Sequence, residues 1–118
     1  MSSYIPGLHI LGTLYTNDTD QLGDYTAFKK WIEQKINAYE LSALGDTYHA
    51  FPDAGYTGII CLTESHIAFH TWPEFGLLTL DIFLSNFQKE NDDKARSLFD
   101  ECCAFFNCSK IEKTEVRR

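Results

Sequence analysis

Between Thr63 and Glu74 the chain reads Thr63-Glu64-Ser65-His66-Ile67-Ala68-Phe69-His70-Thr71-Trp72-Pro73-Glu74. This run brings the Ser65 hydroxyl, the imidazoles of His66 and His70, and the carboxylates of Glu64 and Glu74 within twelve residues. Three chemistries compete for such a cluster. A metal site would use His66 and His70, which fall on one side of a strand because they are four apart. The run lacks the His-Glu-x-x-His order of a zincin, and spacing identifies no third ligand. A serine hydrolase would pair Ser65 as nucleophile with His70 as base, but no Gly-x-Ser-x-Gly elbow surrounds the serine. The third reading makes these ordinary polar residues on the open face of a sheet, the default for any one of them taken singly. Residue types alone leave all three open.

The elements that must position the cluster follow from periodicity. Leu8 to Thr16 is rich in β-compatible residues and stops at the polar run Asn17-Asp18-Thr19-Asp20, which predicts a first strand and then a loop. From Asp24 the period changes: Phe28, Trp31, Ile32, Ile36 and Tyr39 recur at three- and four-residue steps, an amphipathic helix with Asp24 as its cap. Three further strands are expected at roughly 42–51, 57–64 and 66–72, with another at 77–84 after the turn Pro73-Glu74-Phe75-Gly76. In the last of these, Leu78, Leu80, Ile82 and Leu84 alternate with Thr79, Asp81 and Ser85, so one face is apolar. Asn91-Asp92-Asp93 reads as a cap with acidic first-turn residues, ahead of a second amphipathic helix through Ala95, Leu98, Phe99, Cys102 and Phe105. Cys108 to Val116 is a final short strand. The order β-α-β-β-β-α-β, with both helices on one face of a mainly antiparallel sheet, makes an α+β two-layer sandwich.

At 118 residues, 44% hydrophobic and 14% aromatic, the chain has the length and composition of a single globular domain spanning 1–118. A net charge of −7 argues against nucleic acid and suits a cationic small molecule. No basic leader with an apolar stretch opens the chain, and no apolar window reaches membrane-spanning length, so a cytoplasmic protein without a membrane partner is expected. Cys61, Cys102, Cys103 and Cys108 read as reduced thiols; Cys102 falls on the apolar helix stripe, and Cys103 and Cys108 lack metal-ligand spacing.

The order of residues in the cluster narrows the choice. Glu64-Ser65-His66 followed by His70-Thr71-Trp72-Pro73-Glu74 closely resembles the processing and substrate-binding motif of bacterial and archaeal S-adenosylmethionine decarboxylase proenzymes. The resemblance extends over almost the whole chain: Gly7-Leu8-His9 is similar to that family's first-strand entry, Phe51 and Gly58 fall at matching positions, and Asp81-Ile82-Phe83 ends the matching strand.

What the resemblance implies is autocatalytic serinolysis. The Ser65 hydroxyl attacks the Glu64 carbonyl, the amide becomes an ester, and β-elimination followed by hydrolysis leaves a pyruvoyl group at 65. The products are chains 1–64 and 65–118. By family position His70 accepts the proton near Cα of residue 65 and Thr57 donates to the oxyanion formed during the shift. The covalent pyruvoyl then replaces pyridoxal phosphate as electron sink for an amino-acid-type substrate, with no metal. Phe51, Trp72 and Glu74 match the substrate-binding positions, where aromatic rings pack against the adenine and sulfonium region and a carboxylate holds ribose hydroxyls. A homodimer of processed protomers is the expected assembly.

Three positions depart from the family. Ser85 stands where a cysteine protonates the carbanion left by decarboxylation, and a serine hydroxyl is a far weaker acid. Thr57 stands where serine is usual, and Leu8 and Thr13 replace residues usually basic and acidic. These differences keep open the same chemistry on arginine or ornithine, and a non-catalytic homologue acting as a regulatory or assembly partner.

Overall fold

A computed structural model describes residues 3–87 and 89–118. Among these, β1 (Leu8–Thr16) is followed by α1 (Thr19–Gly23), α2 (Thr26–Ala38), β2 (Ala43–Ala50), β3 (Tyr56–Leu62), β4 (Ser65–Trp72), β5 (Leu77–Leu84), α3 (Asp92–Phe105) and β6 (Cys108–Arg117). The strands form one antiparallel sheet in the order β2-β3-β4-β5-β1-β6. The α+β sandwich is as expected, with two differences. Four strands lie between the long helices, at the four segments expected from 42–51, 57–64, 66–72 and 77–84, where the order β-α-β-β-β-α-β counts three. The polar run at Asn17–Asp20, expected as loop, turns into the short helix α1.

The helices cover one face because every strand but the edges presents it with apolar residues. Ile10 and Leu14 of β1, Ile60 of β3, Ile67 and Phe69 of β4, and Leu78, Leu80 and Ile82 of β5 are buried against Phe28, Ile32 and Ile36 of α2 and Leu98, Phe99 and Cys102 of α3. Gly12 and Gly58 leave room where the Phe99 and Phe69 rings lie directly on the backbone, so a β-carbon at either glycine would collide with the ring. Asp24 does cap α2, from just outside it: its Oδ1 accepts the Thr26 N–H at 2.9 Å, which holds the carboxyl below its ordinary range.

α1 is fixed by two side chains of the sheet. Thr71 Oγ1 donates to the Leu22 carbonyl at 2.6 Å and accepts the Tyr56 N–H at 2.8 Å, while Tyr56 Oη donates to the Gln21 carbonyl at 3.0 Å. The opposite face of the sheet carries His66, Ala68, His70 and Trp72 from β4, Thr57 and Ile59 from β3, and Thr79, Asp81 and Phe83 from β5; no element among the described residues covers it. Ile59 there is 49% exposed, an unusual position for an isoleucine at the centre of a strand.

Candidate active site

The chemistry-bearing residues fall into two groups at opposite ends of β4. The first is built around the β3–β4 turn. Leu62 pairs with Ser65, so Thr63 and Glu64 alone make the connection, and Glu64 takes the left-handed conformation at φ 55°. That geometry costs a residue with a β-carbon roughly 1–2 kcal/mol. The Ser65 hydroxyl accepts the Ser85 N–H at 2.9 Å from the end of β5. A donor aimed at this oxygen favours negative charge on it. Glu64, Ser65 and Ser85 line one cavity of about 320 Å³ together with Lys89, Asn91 and Lys94.

Ser85 is held by residues whose role the sequence did not disclose. Asn91, read as a helix cap, turns its amide away from α3 and donates to the Ser85 carbonyl at 2.8 Å; the Asp92 N–H is met by Glu90 Oε1 at 2.7 Å. Asn86 is buried, donates to the Pro6 carbonyl and to Asp92 Oδ1, and accepts the Asn91 N–H. Arg117 Nη1 reaches the same Asp92 oxygen at 2.9 Å, so β6, the β5–α3 loop and α3 meet on one carboxylate. The Arg117 hydrogen bond, against a smaller opposing effect of burial, holds the Asp92 carboxyl below its ordinary range. A depressed carboxyl contributes stability that is present above the unfolded-state value and lost as pH falls through the folded one. Asp92→Asn is expected to flatten the acid limb of a thermal-unfolding profile below about pH 4 and to lower the melting temperature at pH 7. An unchanged acid limb would show that the carboxylate does not bind these elements together.

The second group lies at the other end of the strand, on the uncovered face. Thr57 and His70 are directly opposite in the β3–β4 register, and Thr57 Oγ1 is 2.8 Å from His70 Nδ1. The two share a cavity of about 390 Å³ with Phe51, Trp72 and Glu74. Phe51 is 49% and Trp72 37% exposed, so neither ring is used by the core. The His70 and Trp72 rings lie 6.1 Å apart, and His49, absent from the sequence reading, sets its ring edge-on to Phe51 at 4.6 Å.

All five members of the second group are brought together, and so are Glu64, Ser65 and Ser85; the two groups are not brought to each other. Ser65 shares the parity of buried Ile67, Phe69 and Thr71, whereas His70 shares that of exposed Trp72. Five residues of strand span about 17 Å and reverse the face. His66 and His70 do lie on the same face, and among the described residues no three His, Cys, Asp or Glu side chains gather as a metal site.

Comparison with known proteins bears on what these groups do. Residues 8–118 match the family model described as S-adenosylmethionine decarboxylase. The S-adenosylmethionine decarboxylase proenzyme of Picrophilus torridus is 38% identical over 112 residues, 95% of this chain and 83% of that protein. The proenzyme of Archaeoglobus fulgidus is 36% identical over 82% of this chain and 86% of its own. The crystal structure of the adenosylmethionine decarboxylase from Aquifex aeolicus superposes with a TM-score of 0.86 at 30% identity, covering 98% of this chain and 92% of that one. No helix among the described residues is long and apolar enough to cross a membrane. A match over nearly the whole chain, with the same fold and with Ser65 at a built turn, makes this protein a member of the S-adenosylmethionine decarboxylase family and an enzyme of the decarboxylase class.

Proposed function

We propose that the chain cleaves itself between Glu64 and Ser65, carries a pyruvoyl group at residue 65, and decarboxylates S-adenosylmethionine in polyamine biosynthesis. The observation that supports this most is the hydrogen bond from the Ser85 N–H to Ser65 Oγ, beside a peptide bond whose acyl residue, Glu64, is held in the left-handed conformation. The serine is half-buried and borders open volume, which fits a small planar group formed from its own atoms. Such a group supplies an electrophilic carbonyl that captures a substrate amine and draws electrons from it as carbon dioxide leaves.

Three residues of the second group, Phe51, Trp72 and Glu74, bind substrate rather than cut the chain. Exposed Phe51 and Trp72 offer faces for a purine and for the positive charge of a sulfonium, and Glu74 beside them accepts hydrogen bonds from sugar hydroxyls. Arginine and ornithine have no purine to engage that aromatic pair, which favours the nucleoside substrate named for the relatives.

His70 and Thr57 act on the Ser65 of a second copy. Two sheets laid with their uncovered faces together, related by a two-fold axis, set the Ser65 end of one β4 against the His70 end of the other. That arrangement makes an isologous homodimer with two composite sites, and covers Ile59 and Trp72. Thr57 there donates to the oxyanion of the acyl shift and His70 takes the proton.

A mass spectrum of the purified protein tests this reading. Two fragments divided after Glu64, the second without a free amine at its start, are expected; one intact chain of 13.5 kDa that releases no carbon dioxide from S-adenosylmethionine would overturn it in favour of a non-catalytic homologue. Carbon dioxide released from arginine or ornithine alone would keep the cofactor and change the substrate.

A further inference from the structure

The Ser65 turn borders a second cavity, on the uncovered side of the sheet, of about 610 Å³ and lined by Tyr4, Glu64, Ser65, His66, Phe83, Arg117 and Arg118. We propose that His66 is the general acid that protonates the substrate carbon after carbon dioxide has left. This rests on the pyruvoyl reading of Ser65.

Several observations converge on His66. It follows Ser65 directly and lines the same cavity. Its ring is fixed between two others: Phe83, the cross-strand partner on β5, at 5.7 Å between centroids and tilted by 37°, and His9 of β1, edge-on at 5.6 Å. Among the described residues nothing hydrogen-bonds to the ring, so both nitrogens are free to face a ligand. Imidazole is the side chain suited to give up a proton near neutral pH. Ser85 holds a hydroxyl beside the turn, and its Oγ accepts the Phe87 N–H at 3.0 Å. A serine hydroxyl is in any case a poor proton source beside an imidazolium.

The surroundings of His9 keep it from competing. It is 6% exposed, and Arg118 Nη1, which can only donate, lies 3.5 Å from its Nδ1. The proton is therefore on Nε2, which points toward Asp81 Oδ2 at 3.8 Å and has no hydrogen-bond partner. Burial holds the His9 imidazole below its ordinary range, against the pull of Asp81 and with smaller help from His66 and Arg118. A neutral His9 adds no positive charge next to His66. The other charged or titratable groups facing His66 are Glu64 from the turn, Cys61 from β3, and Tyr4, Arg117 and Arg118 at the cavity wall, Arg117 being paired with Asp92.

In the step itself the N–H bond of the His66 imidazolium breaks, the proton forms a C–H bond with the electron pair left on the substrate carbon, and neutral imidazole regains its proton from water. Without that donor the electron pair is protonated at the residue-65 carbon instead. Hydrolysis by water then leaves the substrate nitrogen on residue 65 as alanine and releases the remainder as a carbonyl compound.

The test uses the full-length protein with S-adenosylmethionine as probe. His66→Gln is expected to split after Glu64 as the unsubstituted protein does, to lose roughly 10²-fold in turnover at pH 7, and to gain an amino terminus on the 65–118 fragment that reacts with an amine-specific label after turnover. His66→Gln that turns over at the full rate and keeps its blocked terminus would overturn the proposal. A second measurement needs no variant: in the unsubstituted protein the ring-proton resonances of His66 must titrate with the same midpoint as the alkaline limb of turnover, and a mismatch refutes the assignment. Failure of the pyruvoyl reading is distinguished by the unsubstituted chain remaining uncut.

Discussion

Ser65→Ala is expected to yield a folded, uncut chain with decarboxylase activity below detection. In the proposed reaction the hydroxyl is both the nucleophile for chain cleavage and the source of the residue-65 carbonyl, so no partial function survives its loss. The structural cost is small by comparison. Ser65 makes one hydrogen bond, from the Ser85 N–H, and leaving that donor without a partner costs about 1–3 kcal/mol. The experiment therefore pairs an electrophoretic or mass readout with thermal unfolding. A Ser65→Ala protein that is still cut after Glu64 would mean that a protease, not the chain itself, makes the break.

Co-expression of Ser65→Ala with His70→Ala chains is expected to restore activity that neither variant has alone. If Ser65 and His70 act across a two-fold interface, a mixed dimer holds one site with both defects and one with none. Random pairing then returns roughly a quarter of the sites of the unsubstituted enzyme. In that mixture the His70→Ala chain is cut and the Ser65→Ala chain is not, which fragment masses or distinct tags reveal. Recovery of nothing, with mixed dimers demonstrated to be present, would place both residues' work within one protomer. It would then require the sheet to rearrange by about 17 Å of strand.

The strands and long helices are legible in the sequence because their burial is one-sided: alternation along Leu77–Leu84 and the three- and four-residue steps from Phe28 to Ile36 match the faces that the structure buries. The short helix α1 is not, since five residues with one apolar anchor, Leu22, carry no period. Residues 63 and 64 read as the end of a strand and instead form the tight turn at Ser65, because nothing in Thr63-Glu64 announces a left-handed residue as glycine or asparagine would. Asn91 looks like a cap from its neighbours, but its partner is the Ser85 carbonyl across a loop, a contact that local pattern does not contain. The separation of Ser65 from His70 was available in principle. An odd spacing of five on a strand already places the two side chains on opposite faces.

The sheet order β2-β3-β4-β5-β1-β6 also governs what a cut at residue 64 does to the molecule's physical integrity. The segment before the cut owns β1, β2 and β3, and the segment after it owns β4, β5 and β6. In space they interleave, with β1 clasped between β5 and β6. Three of the five ladders, β3 to β4, β5 to β1 and β1 to β6, join one segment to the other. Severing the turn thus removes a covalent link while leaving the clasp closed, and changes the molecularity of denaturation. An intact protomer unfolds as one particle, whereas a nicked one must also dissociate, so each escape is opposed by mass action. Because neither segment owns a contiguous half of the sheet, the peptide bond can be spent on chemistry at little cost to the architecture that surrounds it.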